Sequence, residues 1–284
     1  MPIEKIQSQR LGQRLRDLRR QKGVFSTQRL AKLMKGRYSY SNISRRETGA
    51  LKIDFAYLKS FCEALRFDKD EETMLMAMAR VSQLHPKDSM KDAVSEWAKI
   101  SVNARSYQYY CTSWVCYYLQ THDYMHTIVS QWQDIFEDAE RSTSLRLDDA
   151  SKTLKDPSKR FRFLFHENVL YFSVGSPPIM IDQLIKLQQF IDEPNVELRI
   201  LPKSVFASSA LQEFYIIDDT FCFCENRLDF SITDDTAAVR RFKSDFDLLW
   251  SRALIGVRRN EIIKEAIDYY KKLDSRLTRA GARR

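Results

Sequence analysis

Apolar positions recur three and four apart in the first part of the chain and change rhythm in the second. Leu11, Leu15 and Leu18 fall on one face of a helix predicted from about Glu4 to Lys22. Ser26 is an N-cap signal, and Thr27, Gln28, Arg29, Leu30, Ala31 and Leu33 follow as a short amphipathic helix that Gly36 breaks. Ser39 caps a second short helix, Tyr40 to Glu47, and Gly49 ends it. The stretch Gln83 to Ser89 loses the pattern and carries Pro86, as a linker does. A helical run is predicted next, from about Met90 to Tyr110. It overlaps an aromatic stretch, 107–120, and a helix from Asp123 to Glu140 follows with Tyr124, Ile128, Trp132 and Ile135 on one face. From Arg160 to Phe165 the period becomes two, as in a half-buried strand. Val169 to Val174 fits a strand or one helical turn. Met180 to Ile191 reads as an amphipathic helix and Val196 to Leu201 as a strand. Further strands are expected at Glu213–Ile217, Thr220–Cys224 and Leu228–Ile232, and closing helices at Thr236–Ile255 and Asn260–Leu273. Strands alternating with helices predict an α/β or α+β domain after an all-helical one.

The helix from Tyr40 to Glu47 has one plainly apolar residue, Ile43. Its other positions are Tyr, Ser, Asn, Arg and Glu. A helix with a single hydrophobic anchor is built to present hydrogen-bonding side chains, and a major groove takes Asn and Arg on its base edges. The segment resembles the repressor-type helix-turn-helix of the xenobiotic-response-element family, from Leu11 to about Arg80. Leu11, Arg14, Leu15 and Leu18 match its first helix, and Ser26 to Ala31 the start of its second. Ser39, Ile43, Ser44, Glu47 and Gly49 match its Ser-x-x-x-Ile-Ser-x-x-Glu-x-Gly signature. The resemblance also implies a fourth helix with Phe55, Leu58, Cys62, Ala64 and Leu65, and a fifth with Met74, Leu75 and Met78. Two positions depart from the pattern. The turn between Ala31 and Ser39 is two residues longer. Arg46 replaces an inward apolar residue, and serves either as a phosphate contact or as a stem covering the core.

Charge sharpens this picture. The net charge of +8 is uneven: residues 1–80 hold 18 Lys and Arg against 9 Asp and Glu, while residues 81–273 hold 24 against 28. A basic head on a neutral-to-acidic body is the balance of a nucleic-acid binder. No run of 18 apolar residues exists for a membrane span. The opening Met1-Pro2-Ile3-Glu4 is no apolar leader, and the five cysteines, odd in number and scattered, suit a reducing compartment. A cytoplasmic protein is expected.

From about Trp97 to Ala266 the body resembles the partner or sensor domain of WhiJ-like, antitoxin-like regulators of the actinobacterial type. The match rests on Leu119-Gln120-Thr121 with Tyr124, on Glu167 and Gly175, on Met180, Gln183, Leu184 and Leu187, on Asn195-Val196 and Leu201-Pro202, and on Phe214 and Glu225. Cys116 and Tyr117 stand where that group has Pro-Gly. Enzyme chemistry has no support here: there is no nucleophile motif, and seven glycines leave no phosphate loop. Cys111, Cys116, His122 and His126 lie within 16 residues, but the gap from the second Cys to the first His is short for a zinc site. Buried cysteines and half-exposed histidines are expected instead, with no metal and no cofactor. Cys222 and Cys224 are expected as small core fillers. The aromatic stretch 107–118 reads as core first, and as an aromatic-lined pocket or groove second.

The reading is therefore a five-helix DNA-binding domain at residues 1–82, a linker at 83–93, an α/β or α+β domain for dimerisation, sensing or partner binding at 94–273, and a basic flexible tail at 274–284. The function expected is that of a sequence-specific transcriptional regulator, a repressor by resemblance. Its partners would be a double-stranded operator, a second copy of the chain, and a small partner protein or small-molecule effector. Tyr40, Ser41, Asn42 and Arg45 are the candidate base contacts. Arg14, Gln28, Arg29 and Arg37 are the candidate phosphate contacts. Phe242, Phe246, Leu249 and Trp250 form a stripe expected at a dimer interface. The alternatives are an antitoxin-like regulator that neutralises a small protein, and an adaptor that binds another polyanion such as RNA.

Overall fold

The computed structural model describes residues 3–81, 97–132, 138–205, 212–225 and 230–281. The chain divides into two compact units, 1–103 with 232–235, and 104–231 with 236–284. The expected linker 83–93 lies outside the described residues.

The first unit is helical: α1 (Ile3–Gln21), α2 (Thr27–Leu33), α3 (Tyr40–Glu47), α4 (Phe55–Leu65) and α5 (Lys69–Val81). Leu11, Leu15, Leu30, Ile43, Leu58, Phe61, Leu65 and Leu75 are buried together with Val24, Met34, Ile53 and Tyr57. Leu18 is only half-buried. The buried stripe of α1 runs instead through Arg19, one turn beyond Leu15.

The second unit is built on a six-stranded mixed sheet in the order β3-β2-β1-β4-β5-β6. Its strands are β1 (Ser106–Cys111), β2 (Arg160–His166), β3 (Val196–Leu201), β4 (Phe214–Ile217), β5 (Phe221–Glu225) and β6 (Phe230–Thr233), whose last two residues fall in the segment 232–235 grouped with the first unit. β1, β2 and β3 run parallel, and β4 pairs antiparallel with both β1 and β5. Helix His122–Val129 and helix Ala139–Lys155 lie in the connection from β1 to β2, and helix Pro177–Gln189 in that from β2 to β3. Helix Thr236–Ser251 packs on β3, β4 and β5, and the last helix, Gly256–Gly281, packs along Pro177–Gln189. The architecture is all-α followed by α+β.

Three expectations change. Residues 106–111 are the central strand β1, not the end of a helix; only 97–102 of the expected Met90–Tyr110 run is helical among the described residues. Tyr107, Gln108, Tyr109, Tyr110 and Cys111 are all buried, so both faces of β1 are covered; the alternation Ser106-Tyr107-Gln108-Tyr109 is there but lasts only four residues before Tyr110 breaks it. The helix expected from Asp123 to Glu140 ends at Val129. A separate helix starts at Ala139 with Asp138 accepting from the Arg141 amide at 2.9 Å, and Ile135 lies outside the described residues. Residues 274–281, expected in a flexible tail, continue the last helix. Of residues 169–174, Val169 and Leu170 end a 3-10 turn, Glu167–Leu170, and none is in a strand.

The aromatic stretch is mostly core. Tyr107 stacks on Phe161 with ring centroids 4.5 Å apart, and Tyr109 meets Tyr118, Phe163 and Tyr215 within 6 Å. Cys222 and Cys224 fill the opposite face with Tyr110, Leu164 and Phe214, as free thiols.

Candidate nucleic-acid interface

The helix-turn-helix is set by local hydrogen bonds at each end. The Ser26 hydroxyl accepts from the Arg29 amide at 3.2 Å and starts α2. Lys35 and Gly36 both take positive φ in the turn. The Ser39 hydroxyl accepts from the Asn42 amide at 3.2 Å and starts α3. Gly49 closes α3 at φ +72°, and a Cβ there would lie 2.6 Å from the Gln9 backbone, so position 49 needs glycine for shape as well as for conformation.

Two features seat α3 on α1. The first is Gly12. A Cβ at this position would overlap the Arg46 carbonyl oxygen and lie 2.8 Å from that of Glu47, so the two helices touch backbone to backbone. The second is a buried ion pair. Arg19 donates to both carboxylate oxygens of Glu47 at 2.7 Å and to the Val24 carbonyl at 2.7 Å. The side chains are 3% and 1% exposed. A fork-on-carboxylate bond of this kind fixes direction as well as distance.

Arg46 resolves inward. It is buried, donates to Asn42 Oδ1 and to Asp54 at 3.0 Å, and lies over the rings of Tyr38 and Tyr57 at 5.3 and 4.7 Å. It is a strut under α3, not a phosphate contact. Burial pulls the Asp54 carboxyl up, but the Tyr57 amide and Arg46 together outweigh it and hold that pKa below the usual carboxylate value. The contact also decides how Asn42 faces outward. Arginine has no acceptor, so the atom it meets is the amide oxygen, and the Asn42 NH2 is the group left for a partner.

On α3 Tyr40 is 58% exposed, Ser41 and Arg45 are exposed, and Asn42 is half-buried. Gln28 and Arg29 on α2 are exposed, and Arg14 is half-buried with its Nε lacking a hydrogen-bond partner. Arg37 is tied to α4, with Ser60 at 3.4 Å and Glu63 at 3.5 Å. Neither Arg19, one of the 18 basic residues of the head, nor Gly12 is among the candidates named from sequence. Both carried a signal: Arg19 sits on the Leu11–Leu15 stripe, and a glycine inside a helix costs about 1 kcal/mol unless a close approach repays it.

The remaining candidates lie in the second unit. Phe246, Leu249 and Trp250 are buried against Tyr110, Leu164, Leu201 and Phe214, with Phe242 packed beside them. Arg162 and Arg199 flank the Trp250 ring at 4.3 and 4.2 Å. The stripe expected at a dimer interface is thus covered by its own sheet. Cys111 and Cys116 are buried, while His122 and His126 are solvent-facing beside Glu140, whose oxygens lie 3.1 and 3.7 Å away. Among the described residues no group of three or more such side chains is placed to hold a metal.

Comparison with known families falls on the same two regions. A family model described as a domain of unknown function (DUF5753) matches residues 95–265, and one described as a helix-turn-helix domain matches residues 10–75. No curated protein and no solved structure matches the chain. No described helix is long and apolar enough to cross a membrane.

Proposed function

The chain belongs to the DUF5753 family and carries a helix-turn-helix domain, and on that footing we propose that it is a sequence-specific, operator-binding transcriptional regulator. The observation that carries this reading is the division of labour in α3. Ile43, Arg46 and Glu47 are spent inward on fixing the helix, and Tyr40, Ser41, Asn42 and Arg45 are left for a polar surface. A firmly seated helix with a half-buried Asn42 and an exposed Arg45 one turn apart suits base-edge readout. Gln28, Arg29 and Arg14 take the phosphate role. Arg37 would have to leave Glu63 to join them, a small loss for an exposed pair. The protein acts as a homodimer, because one short recognition helix reads few base pairs and a two-fold operator doubles that reading. Its interface lies elsewhere than on Phe242, Phe246, Leu249 and Trp250. The DUF5753 body carries the sensing or partner-binding role.

Asn42 gives this reading a specific form. With one lone pair of its oxygen taken by Arg46, its NH2 is the freer group, which favours acceptors on a base edge over the two-bond pairing with adenine. Selection of bound duplexes from a random library tests both levels. A discrete site is expected, and Asn42→Ala should lose about 1–3 kcal/mol on that site and little on random DNA. Arg46→Met frees the oxygen and should move the selected base towards adenine. Absence of any enriched duplex would overturn operator binding; an enriched site indifferent to Asn42 would overturn its assignment.

A further inference from the structure

The second unit contains a cavity of about 230 Å³ that the DNA-binding reading does not use. Its walls come from helix Ala139–Lys155, from the end of helix Pro177–Gln189, and from Tyr118 and Val196. The apolar part is Tyr118, Leu147, Ala150, Leu154, Phe190 and Val196. Tyr118 is the point at which the aromatic core reaches this space, since its ring also packs on Tyr107, Tyr109 and Phe161. Three charged residues line the same cavity, Lys155, Lys186 and Glu193.

Lys186 is the informative one. Its ammonium has three N–H donors and meets one acceptor among the described residues, the Gln120 carbonyl at 2.6 Å. It lies 5.7 Å from the centre of the Phe190 ring. Burial lowers its pKa, which means that its charge is held at a cost. A half-buried cation with two donors to spare, at an apolar cavity, is a site for an anion carried on an apolar body.

We propose that this cavity binds a small monocarboxylate with a single aromatic or alicyclic ring, its carboxylate on Lys186 and Lys155 and its ring against Tyr118, Leu147 and Leu154. Size and charge set the class. A cavity of about 150 Å³ holds a benzene ring, so the space here takes one ring and a short arm. Glu193 offsets one of the two lysines, which favours a single negative charge over a dianion such as a phosphate ester. The site would be the effector pocket of the body. It stands apart from operator binding, because it can be tested without DNA.

The test uses the full chain, with phenylacetate and benzoate as probes and their neutral amides as controls, followed by calorimetry and ligand-observed NMR. The carboxylates should bind at least about tenfold more tightly than the amides, the factor expected of one charge-assisted hydrogen bond. Lys186→Met keeps the stem and should erase that preference. Ser151 is exposed at the rim, so Ser151→Trp should shade the cavity and weaken both probes without unfolding the chain. Failure of both carboxylates to bind the folded wild-type chain would overturn the proposal. So would binding that neither substitution alters, since it would lie elsewhere.

Discussion

The buried pair of Arg19 and Glu47 makes a sharp forecast. Glu47→Ala removes the acceptor of two 2.7 Å bonds and leaves a guanidinium that is 3% exposed with only the Val24 carbonyl beside it. Arg16, 3.4 Å from the same carboxylate, loses a partner too. Stranding a buried charge costs about 3–5 kcal/mol, several times the value of an exposed pair. A unit of roughly 80–100 residues has about 5–15 kcal/mol in all. The variant head should therefore be marginal at room temperature. Replacing both partners, Arg19→Met with Glu47→Leu, removes the stranded charge and should recover stability to within about 1–2 kcal/mol of the natural chain.

Amide hydrogen exchange on the full chain is the right assay, because it reads α1 and α3 without assuming that the two units unfold together. Protection in α1 and α3 should fall by about 3 kcal/mol or more in Glu47→Ala and return in the double variant, while β1 and β2 stay unchanged. A loss under 1 kcal/mol would mean that the pair is hydrated in solution. A double variant as loose as the single one would mean that shape, not stranded charge, governs the contact. Operator affinity separates the roles further. If the pair aims α3 as well as stabilising it, the stable double variant still binds its operator less tightly than the natural chain does.

Gly12→Ala should push α3 away from α1, costing about 1–3 kcal/mol by overpacking and weakening operator binding more than binding to random DNA; unchanged operator affinity would show that the approach relaxes freely. Arg29→Ala should weaken all duplexes alike and reduce the salt dependence by about one counterion, and an unaltered slope would remove Arg29 from the phosphate contacts. His122 is held between Asp123 and Glu140, and the Asp123 hydrogen bond above all raises its pKa. A raised folded-state value means that its stabilisation is complete below the ordinary histidine value and is lost as pH climbs through the raised one. NMR titration should find that midpoint above 6.5, and Glu140→Gln should bring it down; a midpoint at or below 6.5 would show the contacts absent in solution.

The parts of the head that were legible in the sequence are those whose physics is local. Ser26 and Ser39 announce caps because the hydroxyl bonds an amide three residues on, within the same turn. Gly49 announces a stop because a positive φ belongs to the residue itself. Arg46 was legible only as a departure: its type rules out an ordinary core position, but which way it turns depends on Tyr38, Tyr57 and Asp54, and only Asp54 is tied to it by a hydrogen bond. Gly12 and Arg19 lie further still from local reading. Their partner, the end of α3, is about thirty residues away, and periodicity in α1 reports that a face is covered without reporting by what.

The same limit explains the body. The stripe Phe242, Phe246, Leu249 and Trp250 is a true amphipathic face, and an amphipathic face requires a cover. A second copy and the chain's own sheet satisfy that requirement equally as far as the helix is concerned. The choice is made on the strands. Leu164, Leu201, Phe214 and Cys222 pack with the stripe, and the guanidinium groups of Arg162 and Arg199 both lie against the Trp250 ring. In sequence an arginine on a strand marks a polar position, and here the stems and charges of the two lie against an indole. β1 was lost for the complementary reason. A strand covered on both faces need not hold its alternation, and in Ser106 to Cys111 it stops after Tyr109, too short a signal to separate the strand from the helical run expected before it. In both places the deciding information is pairwise, between strands and the helices laid over them. A hydrophobic surplus in a helix is therefore evidence for an interface between chains only after every sheet face within the chain has been covered.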